Sequence, residues 1–404
     1  MNKGFSSLFS KRGEFLSAVG IIAEFNPLHK GHEYLINEAK KQGTVVAVIS
    51  GNFVQRGETA IAEKRIRAEA ALKSGVDLVV ELPVLWSMST AENFALGGVT
   101  ALKGIGCDSI IFGSECGDTA PLEKAADILL GSEFSENLAK KLDSGVTFAA
   151  AREAAAAECG LIGDILSKPN NNLAIEYIKA ANRLKLDINF STVKRIGADH
   201  DSKAEAEFVS ASLLREKLKC GDYDFCRKYM SESVLSLFSP ETISDINTID
   251  RAILAVLRTK SPEILKTLPD LSEGVENKLF SAIRLAENTE DLYNIIKVKR
   301  YTLARIRRLT LSAFIGADNS FFMKPQPYIR VLGFNKKGEA QLKTAAATET
   351  IPIVVKPSEI KALGDGALKV FETECRATDL FGLSLAKPLK CGLEYTAKII
   401  KTEC

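Results

Sequence analysis

Short apolar runs and helical stretches alternate through the first quarter of the chain. Val19–Phe25 leads into a helical stretch from His32 to Lys41, Val45–Ser50 into Glu63–Gly75, and Asp77–Pro83 into a further helical span before Ser109–Glu115. Val/Ile-rich runs of strand length, separated by helix-length segments, predict parallel strands buried on both faces, hence βαβ units. Such sheets place their ligands beyond the carboxyl ends of the strands, where strand order reverses. Four predicted strand exits are therefore candidates for one site: Asn26–His32, Ser50–Glu58 (SGNFVQRGE), Glu81–Pro83 and Gly113–Glu115.

Beyond Asp118 the chain turns alanine-rich and helical as far as Cys159. A polar turn at Lys168 then opens an amphipathic helix, and Phe190–Gly197 reads as a strand. Asp222–Asp250 is weakly patterned, Arg251–Gly316 reads as consecutive helices, and Tyr328–Cys404 mixes short strands (YIRVLGF, IPIVV) with helices. The predicted fold class is α/β. A Rossmann-like domain with a parallel sheet (18–225) follows an N-terminal extension (1–17) and precedes a mainly helical region with a small mixed α/β tail (226–404).

Composition narrows this picture. A chain of 404 residues is too long for one core of ordinary size. With 46 % hydrophobic and 26 % charged residues it is a globular protein, and no apolar run approaches the roughly 20 residues of a membrane helix. The net charge of +2 does not announce a nucleic-acid binder, so any such role must come from a local patch. The eight cysteines include no C-x-x-C pair, which fits reduced thiols in a cytoplasm better than a disulfide framework or a zinc site. The first 17 residues lack the apolar stretch of a signal peptide and read as a frayed extension or a misassigned start.

Of three histidines, His29 and His32 fall in one motif, N-P-L-H-K-G-H, directly after a predicted strand; the third is His200. At i and i+3 of a helix start, both rings can face the same space. The helix N-terminus adds unpaired N–H groups and a positive dipole end, which suit phosphate, and Gly31 frees the backbone for close approach. Two imidazoles there would stabilise charge building at an α-phosphorus during displacement. A partial metal site is the rival reading, disfavoured because no further Cys or His ligands lie nearby.

H-K-G-H after a strand and an N-P turn resembles the H-x-G-H signature of the nucleotidyltransferase superfamily. Phe208–Leu218 (FVSASLLREKL) resembles its I-S-S/T-x-x-R element, with Ser210 and Ser212 at a helix start and Arg215 following, placed to grip departing pyrophosphate. The likeness is closer to one family, tRNA(Met) cytidine acetate ligase, and runs from Val19 onward. It is carried by VGIIAEFNPLHKGH, SGNFVQRGE, SGVDLVVELP, IIFGSECGD, KPNNNLAIEYIKA, VKRIGADHD, KRYTLARIRRL and YIRVLGF.

The resemblance implies that acetate is activated by ATP as acetyl-adenylate and passed to the N4 amine of the wobble cytidine of elongator tRNA(Met). It implies His29 and His32 as catalytic groups. It places ATP contacts on Ile22, Ala23, Glu24, Phe25, Asn26, Pro27, Leu28, His29, Lys30, Gly31, His32, Glu33, Tyr34 and Leu35, and on Gly113, Asn170 and Arg195. Gly113 would admit adenine or ribose, Asn170 would read a base edge or sugar hydroxyl, and Arg195 would meet phosphate or a ring face. Read alone, these three are a turn, a helix cap and a solvated charge. Arg56 and Lys64 are candidates for neutralising the acetate carboxylate, with Glu24, Gln55 and Glu58 as further substrate contacts. Mg²⁺ is expected with ATP, though no protein cage for it is legible.

For the tRNA, Lys297–Leu309 concentrates Lys297, Lys299, Arg300, Arg305, Arg307 and Arg308. Read as one helix, it sets Arg300 and Arg307 on one face near Lys297 and turns Leu303, Ile306 and Leu309 inward. In a chain near neutrality this is an electrostatic footprint for a phosphate backbone, which Lys336 and Lys337 would extend. Two other readings stay open: an adenylyltransferase acting on a small metabolite, and an RNA-binding protein that has lost catalysis.

Overall fold

A computed structural model describes residues 17–195, 209–271, 274–298, 301–347 and 351–403. The expectations for residues 1–16, His200, Lys299 and Arg300 lie outside them. The strands are β1 (Ala18–Ala23), β2 (Thr44–Ser50), β3 (Phe53–Val54), β4 (Glu58–Thr59), β5 (Leu78–Leu82), β6 (Ser109–Ser114), β7 (Asn189–Lys194), β8 (Ile329–Phe334), β9 (Ile353–Val354) and β10 (Ile400–Lys401).

All but β3 and β4 form one sheet in the order β10-β8-β5-β2-β1-β6-β7, with β9 paired to β8. The pairs within β5-β2-β1-β6-β7 are parallel, as the apolar runs predicted. Side-chain alternation explains why these runs carry so little polarity. On β2, Val46 and Val48 enter one core with Trp86 and the helix Ala91–Gly104. Val45, Ala47 and Ile49 enter the other, with Ile36 of helix Lys30–Lys40 and Ala68 of helix Lys64–Lys73. Strand order reverses at β1: β2 and β5 extend one way, β6 and β7 the other.

The C-terminal strands are not a module of their own. Strand β8 pairs antiparallel with β5, Leu78 opposite Phe334, and β10 and β9 pair with β8. Every residue of β8 is buried, so it needs a covered face on each side, which the N-terminal sheet supplies. Among the described residues no helix is long and apolar enough to cross a membrane.

Candidate active site

The cleft opens at the reversal point. It has a volume of about 420 Å³ and is lined from the β1 exit, the β3–β4 hairpin, β6, helix Pro169–Leu184, the end of β7 and helix Ala211–Lys219.

The histidine motif builds its floor. His29 is the extended N-cap residue of helix Lys30–Lys40, and its Nδ1 accepts the Gly31 N–H at 3.1 Å. With Nδ1 so engaged, a neutral His29 carries its proton on Nε2 and is a hydrogen-bond donor there. The His29 and His32 rings lie 4.0 Å apart between centroids, and Phe25 meets the edge of His32 at 5.3 Å. His32 Nδ1 is buried with no partner among the described residues. Burial, then Arg195, pushes the His29 imidazolium down to about 4; burial, then His29 and Arg195, lowers His32 well below its ordinary value. Both rings are therefore neutral at pH 7.

That shift fixes a pH dependence. In the unfolded chain His29 takes up a proton near 6.5, but in the folded chain only near 4, so the unfolded state binds more protons between these values. Stability is therefore expected to fall as the pH drops from 6.5 towards 4, His29 alone accounting for roughly 3 kcal/mol. Denaturant unfolding at pH 7 and pH 4.5 checks this: His29→Asn should lose less over the interval than the parent, and an equal loss in both refutes it.

Not every member of the motif faces the cleft. Ile22, Ala23, Glu24, Phe25, Asn26, His29, His32 and Leu35 line it. Leu28 is core, Pro27 is buried after a cis peptide bond, and Lys30 and Tyr34 are exposed. The Lys30 N–H donates to the Tyr229 carbonyl and Glu33 accepts from Ser231, so these positions tie the helix start to the region that follows.

Gly113, Asn170 and Arg195 do converge on the cleft, but for partly different reasons. A side chain at position 113 would sit 3.3 Å from Arg195 Cγ, so the missing Cβ makes room for Arg195 at the cleft. The Asn170 amide donates to Glu115 at 2.7 Å, and the same carboxylate accepts the Asn170 and Asn171 N–H groups. Glu115 thus caps the helix opened by Pro169, a role the sequence reading missed. Phe94, Phe112, Leu173 and Tyr177 add an apolar wall suited to a flat ring.

Ser210, Ser212 and Arg215 also reach the cleft. Ser210 caps helix Ala211–Lys219 by accepting the Leu213 N–H, its hydroxyl pairs with that of Ser212 at 2.9 Å, and Arg215 donates to the Asn26 carbonyl at 2.9 Å. Arg56 lines the cleft too and is exposed, with no ion-pair partner among the described residues.

Lys64 does not belong here. Its ammonium is fully buried against Glu81, Glu374 at 3.0 Å and Glu394 at 2.6 Å, with Arg330 on the far side of Glu394 at 3.0 Å. Glu81, expected at the site, is part of the same cluster. Arg67, overlooked in the sequence, does the local work instead: fully buried, it donates to the carbonyls of Glu24 (2.7 Å), Ser50 (3.0 Å), Gly51 and Ala62 (3.0 Å), tying the β1 and β2 exits together.

The basic segment also differs from its reading. Helix Leu303–Ile315 begins only after the Thr302 cap, so Lys297 belongs to the end of the preceding helix, and Leu303 faces out while Ile306 and Leu309 are buried. Arg305 and Arg308 are held by Asp270, the latter at 3.0 Å, and Arg308 also reaches the Gln55 carbonyl. Arg307 pairs with Glu58 on the cleft rim. Gly57, at φ +72°, lies where any side chain would strike Arg307 Cβ at 2.6 Å, so this helix packs directly on the hairpin that walls the cleft. Lys297 is exposed.

Among the described residues no group of three or more His, Cys, Asp or Glu could hold a metal ion. No step below passes through a protein-held metal.

A parallel sheet with a histidine pair and a serine-capped helix at its reversal point is the architecture of a nucleotidyltransferase. The family described as HIGH Nucleotidyl Transferase matches residues 16–393. A tRNA(Met) cytidine acetate ligase of Caldanaerobacter subterraneus subsp. tengcongensis is 40 % identical, over 96 % of this chain and 100 % of that protein. One of Acetivibrio thermocellus is 36 % identical over 95 % and 100 %. The crystal structure of Thermotoga maritima TmcAL bound with alpha-thio ATP superposes with a TM-score of 0.87 at 28 % identity, covering 96 % of this chain and 100 % of that one. The chain belongs to the tRNA(Met) cytidine acetate ligase family, within the HIGH nucleotidyltransferases.

Proposed function

We propose that this protein joins acetate to ATP as acetyl-adenylate, with release of pyrophosphate, and passes the acetyl group to the N4 amine of the wobble cytidine of elongator tRNA(Met), releasing AMP. The observation that carries the reading is the convergence on one cleft of His29, His32, Arg195 and the Ser210–Arg215 helix start. Acetate and tRNA come from the names of the relatives.

An acetate oxygen attacks the α-phosphorus and pyrophosphate leaves. Charge then builds on the α-phosphoryl oxygens, where the His29 Nε2–H donates and the positive end of the helix dipole lies. The Ser210 and Ser212 hydroxyls, Arg215 and Arg195 meet the departing pyrophosphate. Arg56, the unpaired cation of the hairpin, draws in the acetate carboxylate. Mg²⁺ carried by the triphosphate would screen its charge. The apolar wall takes the adenine. The proposed setting is the cytoplasm, supported by seven free cysteines among the described residues.

The test is pyrophosphate–ATP exchange with and without acetate, followed by transfer of labelled acetyl to tRNA. Exchange that needs acetate, then labelled tRNA, is expected. Stable AMP on a metabolite would indicate a small-molecule adenylyltransferase, and tRNA binding without turnover a catalytically silent protein.

The tRNA surface is proposed around Lys297 and helix Leu303–Ile315. Because Arg307 is paired with Glu58 at the cleft, Arg307→Glu is expected to lower exchange and transfer together, by about tenfold or more, as two carboxylates face each other at the rim. Lys297→Glu should instead weaken tRNA use preferentially, a several-fold rise in its KM that shrinks with added salt. Exchange and transfer rates on both variants check the contrast.

A further inference from the structure

The two half-reactions make opposite demands on the cleft. Activation brings anions together and needs cations and donors. Transfer needs the reverse, an acceptor for a proton. As N4 of cytidine bonds to the acetyl carbon its N–H becomes acidic, and the proton must leave before the C–O bond to AMP breaks productively.

Few groups in the cleft can take it. His29 Nδ1 is occupied by the Gly31 N–H and its other nitrogen carries the ring proton. His32, pressed low by burial and by its neighbour His29, is a weak base. Among the described residues two carboxylates line the cleft, Glu24 and Glu58. Glu58 is committed to Arg307. Glu24 is in no ion pair among the described residues, and one of its oxygens accepts the Gln55 N–H at 3.1 Å. Its own carbonyl is fixed by Arg67 at 2.7 Å, so the residue is held from both ends on the loop that carries His29. A carboxylate unpaired beside a triphosphate site repels the substrate of the first step, which makes its presence there informative.

Resting on the function proposed above, we infer that Glu24 is the general base of the transfer step, accepting the N4 proton as the C–N bond forms. The C–O bond to AMP then breaks with its electron pair on the phosphate oxygen, and Glu24 returns the proton to solvent. The groups facing Glu24 set its titration. Burial raises it above the usual carboxylate range, while the Gln55 N–H, Arg215, Arg67 and Arg56 work to lower it, and Tyr177 lies close by as a neutral phenol. A base so tuned takes protons better than an exposed glutamate and is still ionised in a larger fraction as the pH rises.

The experiment is single-turnover transfer from supplied acetyl-adenylate to tRNA(Met), from pH 5 to 9, with acetate-dependent exchange measured in parallel. For Glu24→Gln, transfer is expected to fall about 10²–10⁴-fold, the ascending limb of the pH profile to vanish, and the ratio of transfer to exchange to drop at least tenfold. Glu24→Asp should keep the limb at a lower rate, which tests the assignment even if the glutamine variant folds poorly. Transfer by Glu24→Gln within about threefold of the parent, or an equal loss of both half-reactions, overturns the base while leaving the ligase reading intact. A parent enzyme that uses no acetyl-adenylate overturns both.

Discussion

Replacing His29 or His32 with alanine is expected to lower acetate-dependent exchange by about 10²-fold or more, the loss that follows removal of one donor from a developing oxyanion. The geometry sharpens the expectation for each. His29→Ala removes the cap of helix Lys30–Lys40 as well as the Nε2 donor, so it should also cost about 1 kcal/mol of stability. His29→Asn keeps a capping side chain and should restore that stability without the activity. His32 caps nothing, and its buried Nδ1 has no partner among the described residues, so His32→Ala should reduce exchange with little change in unfolding. Near-normal exchange in both alanine variants would remove these residues from the chemistry.

The second large effect is structural. Lys64→Ala leaves Glu81, Glu374 and Glu394 buried without their shared cation, and is expected to cost about 3–5 kcal/mol in urea unfolding. A cost below about 1 kcal/mol would mean the cluster is hydrated or protonated throughout. Burial, then the Glu81 carboxylate beside it, raises Glu374 well above its ordinary value. A carboxyl raised on folding favours the native state most fully below its unfolded pKa, and that contribution is lost as the pH climbs towards the folded one. Stability should therefore decline as the pH climbs from about 4.5 towards about 8, and Glu374→Gln should flatten the decline.

What the sequence exposed and what it hid follow one physical line. The strands β1, β2, β5 and β6 and the H-K-G-H turn are local: their hydrophobic period and a few adjacent residues define them. Lys64 reads in the sequence as a cation able to neutralise the acetate carboxylate. Its partners Glu374 and Glu394 lie more than 300 positions away, with no periodic signal to announce them. Arg67 was missed because it serves main-chain carbonyls, which any sequence has. Arg305 and Arg308 counted towards a basic footprint because their charge is visible in the chain, whereas their partner Asp270 is distant in sequence. Glu115 could have been suspected, since a carboxylate after the β6 exit suits the amides at the start of a helix, but nothing local names Pro169 as that helix.

The place of β8 has a consequence for synthesis. Strand β5 is complete at Leu82, yet its neighbour begins at Ile329. At ~5–20 residues per second, about 250 residues and ~10–50 s of translation separate them. Throughout that interval the nascent chain carries an apolar strand with an open edge, the kind of surface that pairs with whatever other strand it meets. Ribosome-bound truncations ending before position 329 should therefore be prone to aggregate and recruit chaperones, and those extending past Phe334 far less so.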